Sequence, residues 1–102
     1  MEIYFSNRKL EKILSTERLL KEKFGDLTRK IMARMTEFRA AKNLSEITHL
    51  PPPRRHKLVG YPNRFAVSVS GNFRIIFESL SEELINPIDI NAINIIEIED
   101  YH

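Results

Sequence analysis

The sequence contains no cysteine and no tryptophan, and only three of its 102 residues are glycine. The lack of cysteine excludes disulfides, thiolate nucleophiles and cysteine-ligated zinc. Glycine-rich phosphate loops and His-Glu-x-x-His zinc helices are missing as well. No apolar run approaches the about 20 residues of a membrane-spanning helix, and the N-terminal stretch lacks the basic start and long apolar core of a signal peptide. These absences predict a cytoplasmic protein without a membrane segment.

The length allows one domain, residues 1–102, and no linker divides it. A chain of this size buries only about two-thirds of the surface that it exposes when unfolded. A deep, enclosed active site is therefore not expected, although 42% hydrophobic residues suffice for a folded core. We expect any functional site to be open and shallow.

Charged residues are unevenly distributed along the chain. Asp and Glu are absent from residues 47–77, the stretch that contains the cations Arg54, Arg55, Lys57, Arg64 and Arg74. Beyond Arg74 the balance reverses, because acidic residues follow and no Lys or Arg does. Clustered cations on a neutral background are typical of a phosphate-binding surface. A solvated basic strand surface explains the charge alone equally well.

The first half of the sequence has helical periodicity after a short β-prone start. Residues 3–5 predict a strand, and Asn7 is suited to cap a first helix. A second helix is expected to start near residue 15 or 16 and to end at Gly25. Asp26 is predicted to cap a third helix, in which the basic residues, Arg34 among them, should be solvated. The apolar stripe of that helix consists of Leu27, Ile31, Met35 and Phe38.

The second half changes to a period of two after the prolines at residues 51–53. The segments "RRHKLV", "RFAVSV" and "FRIIFE" predict strands, and Ser70-Gly71-Asn72 predicts a hairpin turn. A last strand runs from Ile93 to Glu99 or beyond. This order predicts an α+β fold, with the N-terminal strand and the helices packed on one face of a mostly antiparallel sheet. The other face is then open, and Arg64 and Arg74 should line it.

Two histidines stand among residues suited to phosphate chemistry. His56 lies between cations that would attract a phosphate chain, and His102 follows Asp100 and Tyr101 at the end of the last strand. Cleavage of a phosphodiester needs a proton acceptor, a proton donor and a cation for the developing charge. The residues alone leave other readings open: a frayed polar end, a tag remnant, or a metal site formed by His56, Asp100 and His102, although no pair has a recognised metal spacing.

The segment "RRHKLVGYPNRFAVSVSGNFRIIFE", followed by a terminal "IIEIEDYH", resembles the HigB-type branch of the RelE-like toxins of bacterial toxin–antitoxin systems. The likeness covers nearly the whole chain and includes the His-x-Leu-x-Gly element at residues 56–60 and the Asp-Tyr-His ending. Two features depart from the family pattern. Phe73 replaces the usual tryptophan, and the Leu80–Ala92 connection is longer than in the shortest members.

The resemblance implies a RelE-like fold and a ribosome-dependent mRNA endonuclease, the toxin of a type II toxin–antitoxin system. The implied reaction is metal-independent attack by a 2′-hydroxyl, without a cofactor. The implied partners are the ribosome, mRNA and a HigA-like helix-turn-helix antitoxin, with DNA contacted only through the antitoxin complex and no membrane involved. The implied catalytic residues are His56, Arg74, Asp100, Tyr101 and His102, and the expected RNA contacts are Arg54, Arg55, Lys57 and Arg64.

Two other functional classes remain possible at this point. A toxin of the same fold that poisons gyrase would need no nuclease chemistry, and the presence of both His56 and His102 argues against it. A basic RNA-binding regulatory module would use the cations alone, and its C-terminal residues would only pack.

We predict that His102→Ala abolishes growth arrest on expression and leaves the melting temperature almost unchanged. A terminal imidazole contributes little to stability, because chain ends fray unless they are tied down. The matched control is His49→Ala, which removes an imidazole from a loop without a predicted role and should remain toxic. A folded His102→Ala protein that still arrests growth would contradict the catalytic assignment.

Overall fold

The computed structural model describes residues 1–101, so His102 lies outside the described residues. The chain forms a strand, three helices and then four further strands. The strands are β1 (Glu2–Phe5), β2 (His56–Lys57), β3 (Arg64–Ser68), β4 (Phe73–Ser79) and β5 (Ala92–Asp100). The helices are α1 (Arg8–Leu14), α2 (Glu17–Phe24) and α3 (Thr28–Ala40).

The helix boundaries follow from local capping. The Asn7 side chain accepts a 2.8 Å hydrogen bond from the backbone N–H of Leu10 and caps α1 as predicted. Helix α2 ends at Gly25, as predicted, in a conformation with φ of 52°. The predicted cap of α3 is wrong, because residues 25–27 form a 3-10 turn and α3 starts at Thr28, without a side-chain cap.

The five strands form one sheet in the order β1-β5-β4-β3-β2. Strand β1 pairs with β5 in parallel, and all other neighbours are antiparallel. The first and last strands are therefore adjacent, and the helices between β1 and β2 cross one face of the sheet. The predicted α+β architecture with a mostly antiparallel sheet is confirmed. Within the described residues, no helix is long and apolar enough to cross a membrane.

The core lies between the helices and one face of the sheet. Phe77 is fully buried. The centroid of its ring lies 5.0 Å from that of Phe38 in α3 and 5.9 Å from that of Phe65 in β3. The remaining core residues from both layers include Leu14, Leu20, Ile31, Met35, Val67, Ile75, Ile93 and Ile95. Arg34 of α3 is only 6% exposed and forms an ion pair with Glu37, so the prediction that it is solvated is wrong.

A β-bulge in β5 changes which side chains face the core. Phe77 pairs with Ile95, whereas the preceding residue of β4, Ile76, pairs with Glu97, so Ile96 is an extra residue. The shift returns Ile98 to the core side of the sheet and turns Glu97 and Glu99 to the opposite face.

The face opposite the helices carries Arg64, Ser68, Arg74, Glu78 and His56. Strand β2 is shorter than predicted, because only two residues pair with β3, where His56 lies opposite Ala66. We call this surface the open face.

We predict that Gly60→Ala lowers the free energy of unfolding by about 1 to 2 kcal/mol, because an alanine is strained at its φ of 91°. A Cβ at this glycine would meet no atom within 4 Å, so any loss comes from the backbone conformation alone.

The matched control is Gly71→Ala, which also has open space around the new Cβ and no left-handed φ. This control should be neutral or slightly stabilising, since alanine restricts the unfolded chain. Thermal unfolding should separate the variants by several degrees. Equal melting temperatures would show that the turn at Gly60 relaxes without cost.

Candidate functional site

A groove of about 430 Å³ lies on the open face, lined by β2, the turn after it, and residues of β3, β4 and β5. Its walls combine an imidazole, cations, carboxylates and apolar side chains. The lining residues are His56, Lys57, Leu58, Val59, Tyr61, Arg64, Arg74, Ile76, Glu97 and Glu99. We call this site the sheet groove. It is open and shallow, as expected for a chain of this length.

His56 is placed in the sheet groove by β2, and its ring is held by the backbone. The Nδ1 atom lies 3.0 Å from the carbonyl oxygen of Arg54. A carbonyl oxygen can only accept a hydrogen bond, so Nδ1 carries a proton and donates it. In the neutral ring the lone pair is then on Nε2, which can accept a proton from a substrate and return it.

Arg54 connects the loop before β2 with the end of β5. It is a non-glycine residue with a φ of 47°, a conformation that costs about 1 to 3 kcal/mol and is kept where surrounding contacts enforce it. Its guanidinium donates to the hydroxyl of Ser68 and to the hydroxyl of Tyr101, both at 3.3 Å. The side chain is otherwise exposed beside the groove.

Arg74 is held from two sides. Its guanidinium donates a 2.8 Å hydrogen bond to the carboxylate of Glu99 and lies 4.3 Å from the ring centroid of Tyr101. The side chain is only 20% exposed. Its Nε is buried and has no hydrogen-bond partner among residues 1–101. Arg74 is therefore fixed in position by Glu99 and Tyr101.

The predicted C-terminal cluster is divided by the pleat of the sheet. Tyr101 lies on the open face, and its backbone N–H donates a 2.7 Å hydrogen bond to Asn72 in the β3–β4 turn. Asp100 lies opposite Phe73, one register position from the Arg74–Glu99 pair. Because neighbouring residues of a strand face opposite sides, Asp100 is on the side of the helices. His102 is outside the described residues.

Arg64 repeats the arrangement of Arg74 at the other end of the groove. Its Nε donates to the Glu78 carboxylate at 3.3 Å, and its guanidinium lies 4.3 Å from the ring centroid of Tyr61. The antiparallel register of β3 and β4 places Arg64 directly opposite Glu78.

The remaining predicted RNA contacts are separated by the fold. Lys57 is exposed and lines the sheet groove. Arg55 does not line it, since its guanidinium donates a 3.1 Å hydrogen bond to the backbone carbonyl of Leu44. Burial lowers the pKa of the Arg55 guanidinium from its ordinary value.

Carboxylates and one tyrosine of the groove were not predicted from the sequence. Glu97 and Glu99 are separated by Ile98, and this alternation in a strand indicates that the two carboxylates share one face of the sheet. Tyr61 stands between Gly60 and Pro62 in a turn and gave no periodic signal. The open face therefore carries charges of both signs, because Arg64 and Arg74 each pair with a glutamate.

The arrangement is suited to acid–base chemistry beside a bound phosphate. It brings together an imidazole with a defined tautomer, a fixed guanidinium and an exposed ammonium group. Over residues 1–101, no group of three or more His, Cys, Asp or Glu side chains is placed to hold a metal ion.

No protein-family model matches this sequence, and no curated protein matches it. Solved structures share its fold at low identity. The YoeB/ParE toxin from Agrobacterium tumefaciens superposes with a TM-score of 0.62 at 8% identity, over 100% of both chains. YoeB from Staphylococcus aureus, a dimer, superposes with a TM-score of 0.59 at 16% identity, over 100% of this chain and 97% of that one.

The chain thus has the fold of YoeB/ParE toxins, and the predicted RelE-like fold is confirmed. Neither neighbour is of the HigB type, so that branch of the resemblance stays a prediction. At these identities the likeness establishes the fold, and the chemistry has to be argued from the side chains.

Proposed function

We propose that this protein is the toxin of a type II toxin–antitoxin system and acts as a ribosome-dependent mRNA endonuclease. The observation that carries the proposal is that His56 and Arg74 line the same groove. The fold on which this groove lies is shared with YoeB/ParE toxins. The assignment to the HigB type rests on the His-x-Leu-x-Gly element and the Asp-Tyr-His ending.

In the proposed reaction, the 2′-hydroxyl of the scissile nucleotide attacks the adjacent phosphorus. A base removes the hydroxyl proton, and an acid protonates the departing 5′-oxygen, which leaves a 2′,3′-cyclic phosphate. His56 and His102 are the proposed pair, in either order, and the free Nε2 of His56 supports its part in proton transfer. This route needs neither a metal nor another cofactor.

The charged side chains have separate parts in this proposal. Arg74 stabilises the charge that develops on the phosphorane, and the stacked ring and carboxylate beside it keep it in place before RNA binds. Tyr101 stacks on a base or donates to the phosphate. Asp100 orients or tunes a histidine, although it would have to do so from the helix side of the sheet. The proposed phosphate contacts are Arg54, Arg55, Lys57 and Arg64, although Arg55 would have to leave its bond to Leu44 to reach RNA.

The proposed dependence on the ribosome follows from the shape of the site. An open groove on a small domain holds a flexible RNA poorly, so activity on naked RNA should be weak. The ribosome supplies the orientation by presenting the mRNA. The proposed protein partner is a HigA-like helix-turn-helix antitoxin, through which any contact with DNA would be made.

We predict that Arg74→Ala abolishes growth arrest and mRNA cleavage in translating cells. Removing one preorganised donor from such a transition state costs about 3 to 4 kcal/mol. The protein should remain folded, because the Glu99 side chain is 29% exposed and can be solvated once its partner is lost.

The matched control is Arg18→Ala, which breaks another Arg–Glu pair, on the exposed surface of α2, where both partners are at least 60% exposed. This variant should remain toxic. Full toxicity of folded Arg74→Ala would refute the role of Arg74. Growth arrest with DNA damage and intact mRNA would instead identify a gyrase poison, and RNA binding without growth arrest would identify a regulatory module.

A second prediction concerns metals. Cleavage on ribosomes should be insensitive to a zinc or manganese chelator while magnesium is kept constant for the ribosome, since the proposed proton transfers need no bound ion. Ribosomal cleavage of a defined mRNA, followed by primer extension, measures this. Activity that disappears on chelation and returns with added zinc or manganese would favour a metal-dependent mechanism.

A further inference from the structure

Two similar units stand at opposite ends of the open face. Each consists of a tyrosine ring, an arginine 4.3 Å from the ring centroid, and a glutamate that accepts a hydrogen bond from that arginine. The Tyr61 unit contains Tyr61, Arg64 and Glu78, and the Tyr101 unit contains Tyr101, Arg74 and Glu99. The proposed reaction uses the Tyr101 unit and leaves the Tyr61 ring without a function.

The pairing of β3 with β4 gives the distance between the units. Arg74 lies opposite Ser68, which is four residues along β3 from Arg64. At about 3.3 Å per strand residue, the units are about 13 Å apart along the strands. Ala66, midway between them, pairs with His56. His56 is therefore in the row between the two units.

The charges of the Tyr61 unit favour a neutral ligand over a phosphate at the ring. The Arg64 guanidinium is paired with the Glu78 carboxylate, so its positive charge is compensated beside the Tyr61 ring. Tyr61 is 47% exposed, and the Arg64 guanidinium lies 4.3 Å from its ring centroid. A partly exposed ring without net charge beside it is suited to stacking with a nucleobase. A phosphate is better accommodated near His56, Lys57 and Arg74, which line the same groove.

We propose that Tyr61 is a base-stacking platform for single-stranded RNA, so that one base stacks on Tyr61 while another occupies the Tyr101 unit. This choice of ligand rests on the proposed endonuclease function. Stacked neighbours in a nucleic acid strand are about 3.4 Å apart, so two bases that remain stacked on each other cannot reach both rings. The bound RNA is therefore extended, and its backbone passes over the row of His56.

The test measures binding of 2′-O-methylated RNA oligonucleotides to the full-length protein by fluorescence anisotropy. These oligonucleotides lack the attacking hydroxyl and stay intact. Tyr61→Ala should weaken binding of a hexanucleotide by about 5- to 150-fold, the range for the loss of one stacked base, and should leave a mononucleotide unaffected. Tyr61→Phe should bind like the unchanged protein, because it keeps the ring.

The matched control is Tyr4→Ala. Tyr4 is 49% exposed, close to the value for Tyr61, and lies on β1 at the far edge of the sheet, outside the groove. This variant should bind the hexanucleotide normally. Normal hexanucleotide binding by Tyr61→Ala would overturn the platform.

A second measurement needs no variant. The ring resonances of Tyr61 should move upfield in NMR spectra as the hexanucleotide is added at millimolar concentration, and unmoved resonances would overturn the platform even if Tyr61→Ala fails to fold.

The two proposals can be rejected independently of each other. RNA binding through Tyr61 without cleavage on ribosomes rejects the endonuclease and keeps the platform, whereas cleavage with no effect of Tyr61→Ala on binding rejects only the platform.

Discussion

The bulge at Ile96 is the constraint on which the sheet groove depends. Strand β5 is paired on both sides, with β1 and with β4. Which of its side chains face the core therefore determines their neighbours on both strands. With one extra residue, Ile95 and Ile98 both face the core. Without it, Glu97 would lie opposite the fully buried Ile75 and point into the helical layer, and burying an unpaired carboxylate there would cost several kcal/mol. The same residue thus protects the core and provides Arg74 with its partner.

Pairing with glutamates makes the two groove arginines less available to phosphate and better defined in position. An arginine in free solution samples many rotamers, and a ligand has to restrict them when it binds. Arg64 and Arg74 are already restricted by a carboxylate on one side and a ring on the other. Such preorganisation is more valuable for stabilising a transition state than for general affinity. Lys57 is exposed and is not held in this way, so it suits the initial attraction of a negatively charged ligand.

The left-handed Arg54 joins parts of the site that are distant in sequence. Its carbonyl orients His56, and its guanidinium reaches the hydroxyl of Tyr101. Tyr101 is in turn tied to the β3–β4 turn through Asn72. One strained residue therefore links the edge strand to the last residue that the structure describes, and the backbone cost is offset by these contacts.

The sequence by itself determined the order of the elements, the α+β class and the side of the sheet on which Arg64 and Arg74 lie. These features follow from periods of two and 3.6 and from caps such as Asn7, which are local properties of the chain. Only the tertiary structure decided which groups meet. The bulge places Glu99 opposite Arg74, Arg55 turns to the Leu44 carbonyl, and Arg34 is buried and paired with Glu37. Tyr61 lines the groove with the Arg64 guanidinium against its ring. The Arg74–Glu99 and Arg55–Leu44 contacts join residues that are distant in the chain, and a local pattern does not give the strand register on which the first of them depends. The burial of Arg34 likewise depends on how α3 packs against the sheet.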